Sequence, residues 1–101
     1  MYVLFIGKDK ENMAELRQQT RPRHRAYIYS TQTPARLVYG APLADAHGEM
    51  TGTMLLIEAD TLADAQAFIK GDPYSEVGLF GETRLEILHQ AAPVPALQVA
   101  E

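Results

Sequence analysis

Tyr2-Val3-Leu4-Phe5-Ile6 is the stretch on which the fold turns. Its residues are β-branched, aromatic or leucine, and they are apolar at both parities, as in a strand covered on both faces. A second stretch of this kind is Thr51-Gly52-Thr53-Met54-Leu55-Leu56-Ile57-Glu58-Ala59, apolar on both faces from Met54 to Ile57. Gly7 reads as the end of the first strand, with Lys8 to Asn12 as a polar connection. Two helical pieces are then expected, because Pro22 sits badly inside a helix but suits its first turn. One covers about 12–19, and the other runs from Pro22 to about Thr31, with His24, Tyr27, Ile28 and Thr31 on one face.

Arg36 to Leu43 reads as a strand, with Gly40 marking a bulge or a close backbone approach and Pro42 as its end. Residues 44–50 form a polar hairpin connector leading into the strand at Thr51. Asp60-Thr61 offers caps to a helix whose apolar stripe is Leu62, Ala65, Ala67, Phe68 and Ile69, with Gly71 as its stop. Glu82 to Gln90 alternates as a last strand, with Thr83, Leu85, Ile87 and His89 on one face. Residues 1–91 are thus expected to form a single domain, and 92–101 a tail or dimer-exchange arm.

The order β-α-β-β-α-β with right-handed crossovers defines an α+β, ferredoxin-like subunit with a four-stranded antiparallel sheet. Its first and third strands are central, which are the two that are apolar on both faces. Two helices cover one face only, so the other is an apolar patch that calls for an interface. The simplest solution is a homodimer packed sheet against sheet.

Composition narrows the chemistry. The chain has 101 residues and no cysteine, which excludes disulfides, thiolate metal sites and a cysteine nucleophile. Nine basic against 13 acidic side chains give a net charge of −4, which argues against nucleic acid as a partner. There is no signal-peptide pattern and no apolar run of the roughly 18 residues a membrane span needs. The expected compartment is the cytoplasm, with no membrane partner.

No glycine-rich phosphate loop, zinc-protease helix or nucleophile elbow occurs. His24, in Arg21-Pro22-Arg23-His24, points inward near a helix start, where the dipole disfavours a positive charge. Spacing alone favours a half-buried structural histidine; the functional alternative is an acid–base group. Asp72, between Gly71 and Pro73, reads as a turn and capping residue, or as a carboxylate that orients a histidine. Arg21, Arg23 and Arg25 read as a solvated charged face, or as a holder for an anion near His24. His47, beside Asp45 and Glu49, matches no metal motif, and His89 reads as structural or at a dimer seam.

The ordered pieces Met1 to Ile6, Arg21-Pro22-Arg23-His24, Tyr39-Gly40-Ala41-Pro42-Leu43, Gly52-Thr53, Ala65-Gln66-Ala67-Phe68 and Asp72-Pro73-Tyr74 resemble the YciI-like family across about residues 1–90. The resemblance implies a dimeric α+β barrel akin to muconolactone isomerases, with His24 and Asp72 in the positions of the family's active-site pair. It implies a cofactor-independent lyase or isomerase acting on a small organic molecule such as a hydroxy-aromatic or lactone. No metal or organic cofactor is expected. Arg21, Tyr74, Ser75 and Gly40 are the expected substrate-binding residues. The competing expectation is a non-catalytic dimeric module that binds a small molecule or serves a larger enzyme.

Overall fold

The computed structural model describes residues 1–89; the expected tail at 92–101 and the end of the last strand at Gln90 lie outside them. The chain runs β1 (Tyr2–Asp9), α1 (Ala14–Ile28), β2 (Arg36–Ala44), β3 (Met50–Glu58), α2 (Leu62–Gly71), α3 (Pro73–Glu76) and β4 (Phe80–Ile87). The sheet is antiparallel throughout, in the order β2-β3-β1-β4. This is the expected α+β ferredoxin-like arrangement with an added turn of helix, α3.

The central strands divide their side chains between two environments. Val3 and Phe5 of β1 and Leu55 and Ile57 of β3 are buried with Ile28, Ala65 and Phe68 of the helices. Leu4, Ile6, Met54 and Leu56, at the intervening positions, are only half-buried on the face away from the helices. Doubly apolar strands are thus explained on one face by the helices.

Two boundaries differ from expectation. α1 is one helix through Pro22 rather than two pieces. Proline removes the bond from its own nitrogen to the Gln18 carbonyl, a change that costs about 3 kcal/mol in a helix interior. Both residues are on exposed positions, so the freed carbonyl lies at the surface, while Arg17, Thr20, His24 and Ile28 are buried along the opposite face. Packing of that face offsets a local penalty.

β1, moreover, does not end at Gly7 but continues to Asp9. Gly7 is needed within the strand: a Cβ there would lie 2.7 Å from the Phe80 ring. On the neighbouring strand, Gly52 faces Lys8, and a Cβ on it would run into the Gly7 carbonyl oxygen, so the two backbones approach closely beside these glycines. The extension of β1 carries Asp9 to the site described next. β2 likewise continues past Pro42, which is tolerated because β2 is an edge strand.

Candidate active site

The site begins with a turn. α2 stops at Gly71, where a Cβ would press on the Tyr27 hydroxyl, itself donating to the Phe68 carbonyl at 2.8 Å. Asp72 is extended, Pro73 occupies the first turn of α3, and Asp72 Oδ1 accepts from the Tyr74 backbone N–H at 3.0 Å. The capping role expected for Asp72 is therefore real. The same carboxylate holds His24: Nδ1 lies 2.7 Å from Oδ1 and 2.9 Å from Oδ2. Asp72 is 1% exposed and His24 6%, so the pair is withdrawn from water.

An ionised carboxylate only accepts hydrogen bonds, so Nδ1 carries the proton. In neutral His24 the free lone pair is then on Nε2, which has no hydrogen-bond partner among the described residues. A carboxylate on Nδ1 and an unengaged Nε2 make an arrangement that can accept a proton at Nε2. His24 sits in the interior of α1 rather than at its start, so a carboxylate, not the expected helix N-terminus, sets its surroundings.

Tyr74 stacks on the imidazole with ring centroids 3.9 Å apart and planes 15° from parallel. The Arg17 guanidinium lies 4.7 Å from the Tyr74 ring centroid. Arg17 is anchored on Asp9 by Nε and an NH2 group, at 2.7 and 2.9 Å, and donates to Thr53 Oγ1 at 2.7 Å. Burial pushes the Tyr74 phenol above its ordinary pKa, against the opposing pull of Arg17 and Arg21. Tyr74 is therefore a neutral hydroxyl near pH 7.

His24 and Tyr74 line a narrow cleft of about 50 Å³, with Arg17, Arg21 and Arg25 of α1, Gly40 of β2 and Thr53 of β3 among its walls. A Cβ on Gly40 would come within 3.1 Å of the Leu55 side chain, so the glycine keeps this wall close to the cleft. Three of the four expected binding residues, Arg21, Tyr74 and Gly40, line the cleft, as does Arg25 of the basic cluster.

Ser75 does not join them. One residue along a helix turns the side chain by about 100°. Ser75 lines a separate surface depression with Lys70, Gly71 and Glu76. Arg23 is exposed and lines neither. His47 is exposed in the hairpin, where Asp45 accepts from the His47 and Glu49 backbone N–H groups and so serves the turn. His89 is exposed just beyond β4. Among the described residues no three His, Asp or Glu side chains are grouped to hold a metal ion, and no helix is long and apolar enough to cross a membrane.

Sequence reasoning missed Arg17, Asp9 and Thr53. The signal for Arg17 was its spacing from His24, seven residues on the same helix face, which a break at Pro22 concealed. A larger cavity of about 520 Å³ lies beyond Tyr29, with Thr33, Arg36, Glu58 and Asp60 in its walls. It holds no histidine, and its Arg36 is paired with Glu58. Chemistry, not volume, singles out the narrower cleft.

Fold and site together define a small α+β protein with a buried His–Asp pair at a basic cleft. The chain matches the YCII-related domain over residues 1–88 and belongs to that family. Protein YciI of Escherichia coli O6:H1 is 28% identical over 86 residues, covering 79% of this chain and 87% of the relative. Among solved structures, 5-chloro-2-hydroxyhydroquinone dehydrochlorinase (TftG) from Burkholderia phenoliruptrix AC1100, in complex with 2,5-dihydroxybenzoquinone, is 26% identical. It superposes with a TM-score of 0.76 over 88% of this chain and 94% of its own. An uncharacterized NIPSNAP domain protein from Burkholderia xenovorans shares the fold at 14% identity and a TM-score of 0.52, over 93% of this chain and all of its own.

Proposed function

We propose that the protein is a lyase- or isomerase-type enzyme that needs no organic cofactor and moves a proton on a small hydroxy-aromatic or lactone. The observation that carries this reading is the buried His24 Nδ1 to Asp72 contact of 2.7 Å, which leaves Nε2 as the one basic atom of the pair not already engaged. Likeness to a dehydrochlorinase with a TM-score of 0.76 supports a small-molecule substrate. A cleft of about 50 Å³ takes the reacting edge of one small ring.

For a halogenated hydroquinone the step balances as follows. His24 Nε2 takes a hydroxyl proton, and a proton is delivered to the ring carbon that bears the halogen. The halide then leaves with its bonding pair as the second hydroxyl loses its proton. The products are a quinone, halide ion and one proton passed to solvent. Asp72 holds the imidazole and stabilises the cation formed on it.

Chloride release from 5-chloro-2-hydroxyhydroquinone tests this. His24→Ala is expected to reduce turnover about 10²- to 10⁴-fold, the usual worth of one general acid–base group. Unchanged turnover in both His24→Ala and Asp72→Asn would overturn the mechanism. A ligand that stabilises the protein but is recovered unaltered after long incubation would favour the binding-module reading.

We also propose that two copies pack through the sheet face of Leu4, Ile6, Met54 and Leu56, which no helix among the described residues covers. Sedimentation at monomer mass would refute this.

A further inference from the structure

Three arginines follow one another at four-residue intervals along α1: Arg17, Arg21 and Arg25. All three line the cleft. Like charges one turn apart weaken a helix, so this row needs a counter-charge. Arg17 has one, since Asp9 holds it through two hydrogen bonds. Arg21 and Arg25 make no ion pair among the described residues. No carboxylate lines the cleft; of the two bonded to its walls, Asp72 is engaged by His24 and the Tyr74 backbone N–H, and Asp9 by Arg17. In a chain of net charge −4 this is a local inversion of sign, and narrow clefts lined by one sign of charge focus it.

We infer that Arg21 and Arg25 form an anion subsite that selects substrates ionised at neutral pH. The ligand class is a small ring bearing an acidic enol, phenol or carboxylate oxygen, received by these two guanidiniums with its reacting edge toward His24. The subsite rests on the reading of this cleft as the reaction site, and it adds that an ionised oxygen, rather than ring shape alone, admits the substrate. Arg23, on the solvent side of the same helix, takes no part.

The inference is tested by binding, without turnover. The probe is 2,5-dihydroxybenzoquinone, whose hydroxyls are vinylogous carboxylic acids and are ionised at neutral pH; its uncharged counterpart is 2,5-dimethoxybenzoquinone. The dihydroxy compound is expected to bind saturably and to weaken as salt is raised, and the dimethoxy compound to show no saturation. Arg21→Gln and Arg25→Gln should each lower affinity by about tenfold or more and flatten the salt dependence. Arg23→Gln should stay within about twofold of the parent.

Equal affinity for the two quinones, no binding of the dihydroxy compound, or parent-like binding by both Arg21→Gln and Arg25→Gln would each overturn the subsite. Failure of the enzyme reading looks different. His24→Ala and Asp72→Asn proteins that both still bind the anion and both release chloride at the parent rate would remove the proton-transfer mechanism and leave the subsite in place.

Discussion

The cleft around His24 and the larger cavity beyond it share Ile28 and Tyr29 as a common wall, yet they treat charge differently. At the cleft, Arg17 and Asp9 are almost withdrawn from water, with side chains 5% and 9% exposed. At the larger cavity, Arg36 and Glu58 are 65% and 39% exposed. The exposed pair has water as an alternative partner for each member, so little depends on it. A buried charge has only the groups built around it, and losing one leaves the other unsolvated. Burial of a polar set, rather than cavity size, therefore marks where this fold has committed its side chains to one geometry.

The sharpest way to break that contrast is Arg17→Met. It strands Asp9 and is expected to destabilise the protein by about 3–5 kcal/mol, measured by urea denaturation. A further Asp9→Leu change should recover much of the loss. If Arg17→Met were as mild as a change at Arg36, the distinction between the two ends would fail.

Asp72 separates structure from chemistry within the buried set. Asp72→Ala should lose the α3 cap, about 0.5–2 kcal/mol, and strand the buried His24 Nδ1–H at a further cost of about 1–3 kcal/mol. Asp72→Asn retains an acceptor oxygen and should melt much closer to the parent. Chloride release should fall in both. Asn as destabilising as Ala would show that the negative charge, not the cap, holds the turn.

An alkaline titration gives a smaller effect with a definite sign. Burial raises the Tyr74 pKa above the ordinary 10.0, so its contribution is fully present below pH 10 and is lost as pH rises through the folded-state value. Tyr27, raised chiefly by burial with Asp72 and Glu76 adding, behaves the same way. Tyr74→Phe should flatten the fall in stability above pH 10 without abolishing it, as followed by urea midpoints across that range. An unchanged slope would mean that Tyr74 is not buried as described. Smallest of all, Arg36→Gln should leave the urea midpoint where it is.

Much of the fold was legible because it depends on local rules. Double apolarity marked β1 and β3 as central, Thr61 capped α2 as its residue type promised, and Gly71-Asp72-Pro73 announced a helix stop followed by a turn. Pro22 misled for the same reason. The local rule against an interior proline is sound, but it was outweighed by a buried face spanning Arg17 to Ile28 that no short window contains. Gly7 likewise read as a terminator because the Phe80 ring that fills its place is 73 residues away in sequence.

By itself, then, the sequence determined the order of elements, the identity of the central strands, and two candidate residues, His24 and Asp72, with more than one reading each. Only the tertiary structure brought that pair to 2.7 Å across 48 residues of chain, stacked Tyr74 on the imidazole and tied Arg17 to Asp9. The physical reason is range. Propensity, capping and periodicity act over a few residues, whereas the partner that satisfies a buried charge is chosen by how α1 and the α2–α3 turn come together on one face of the sheet.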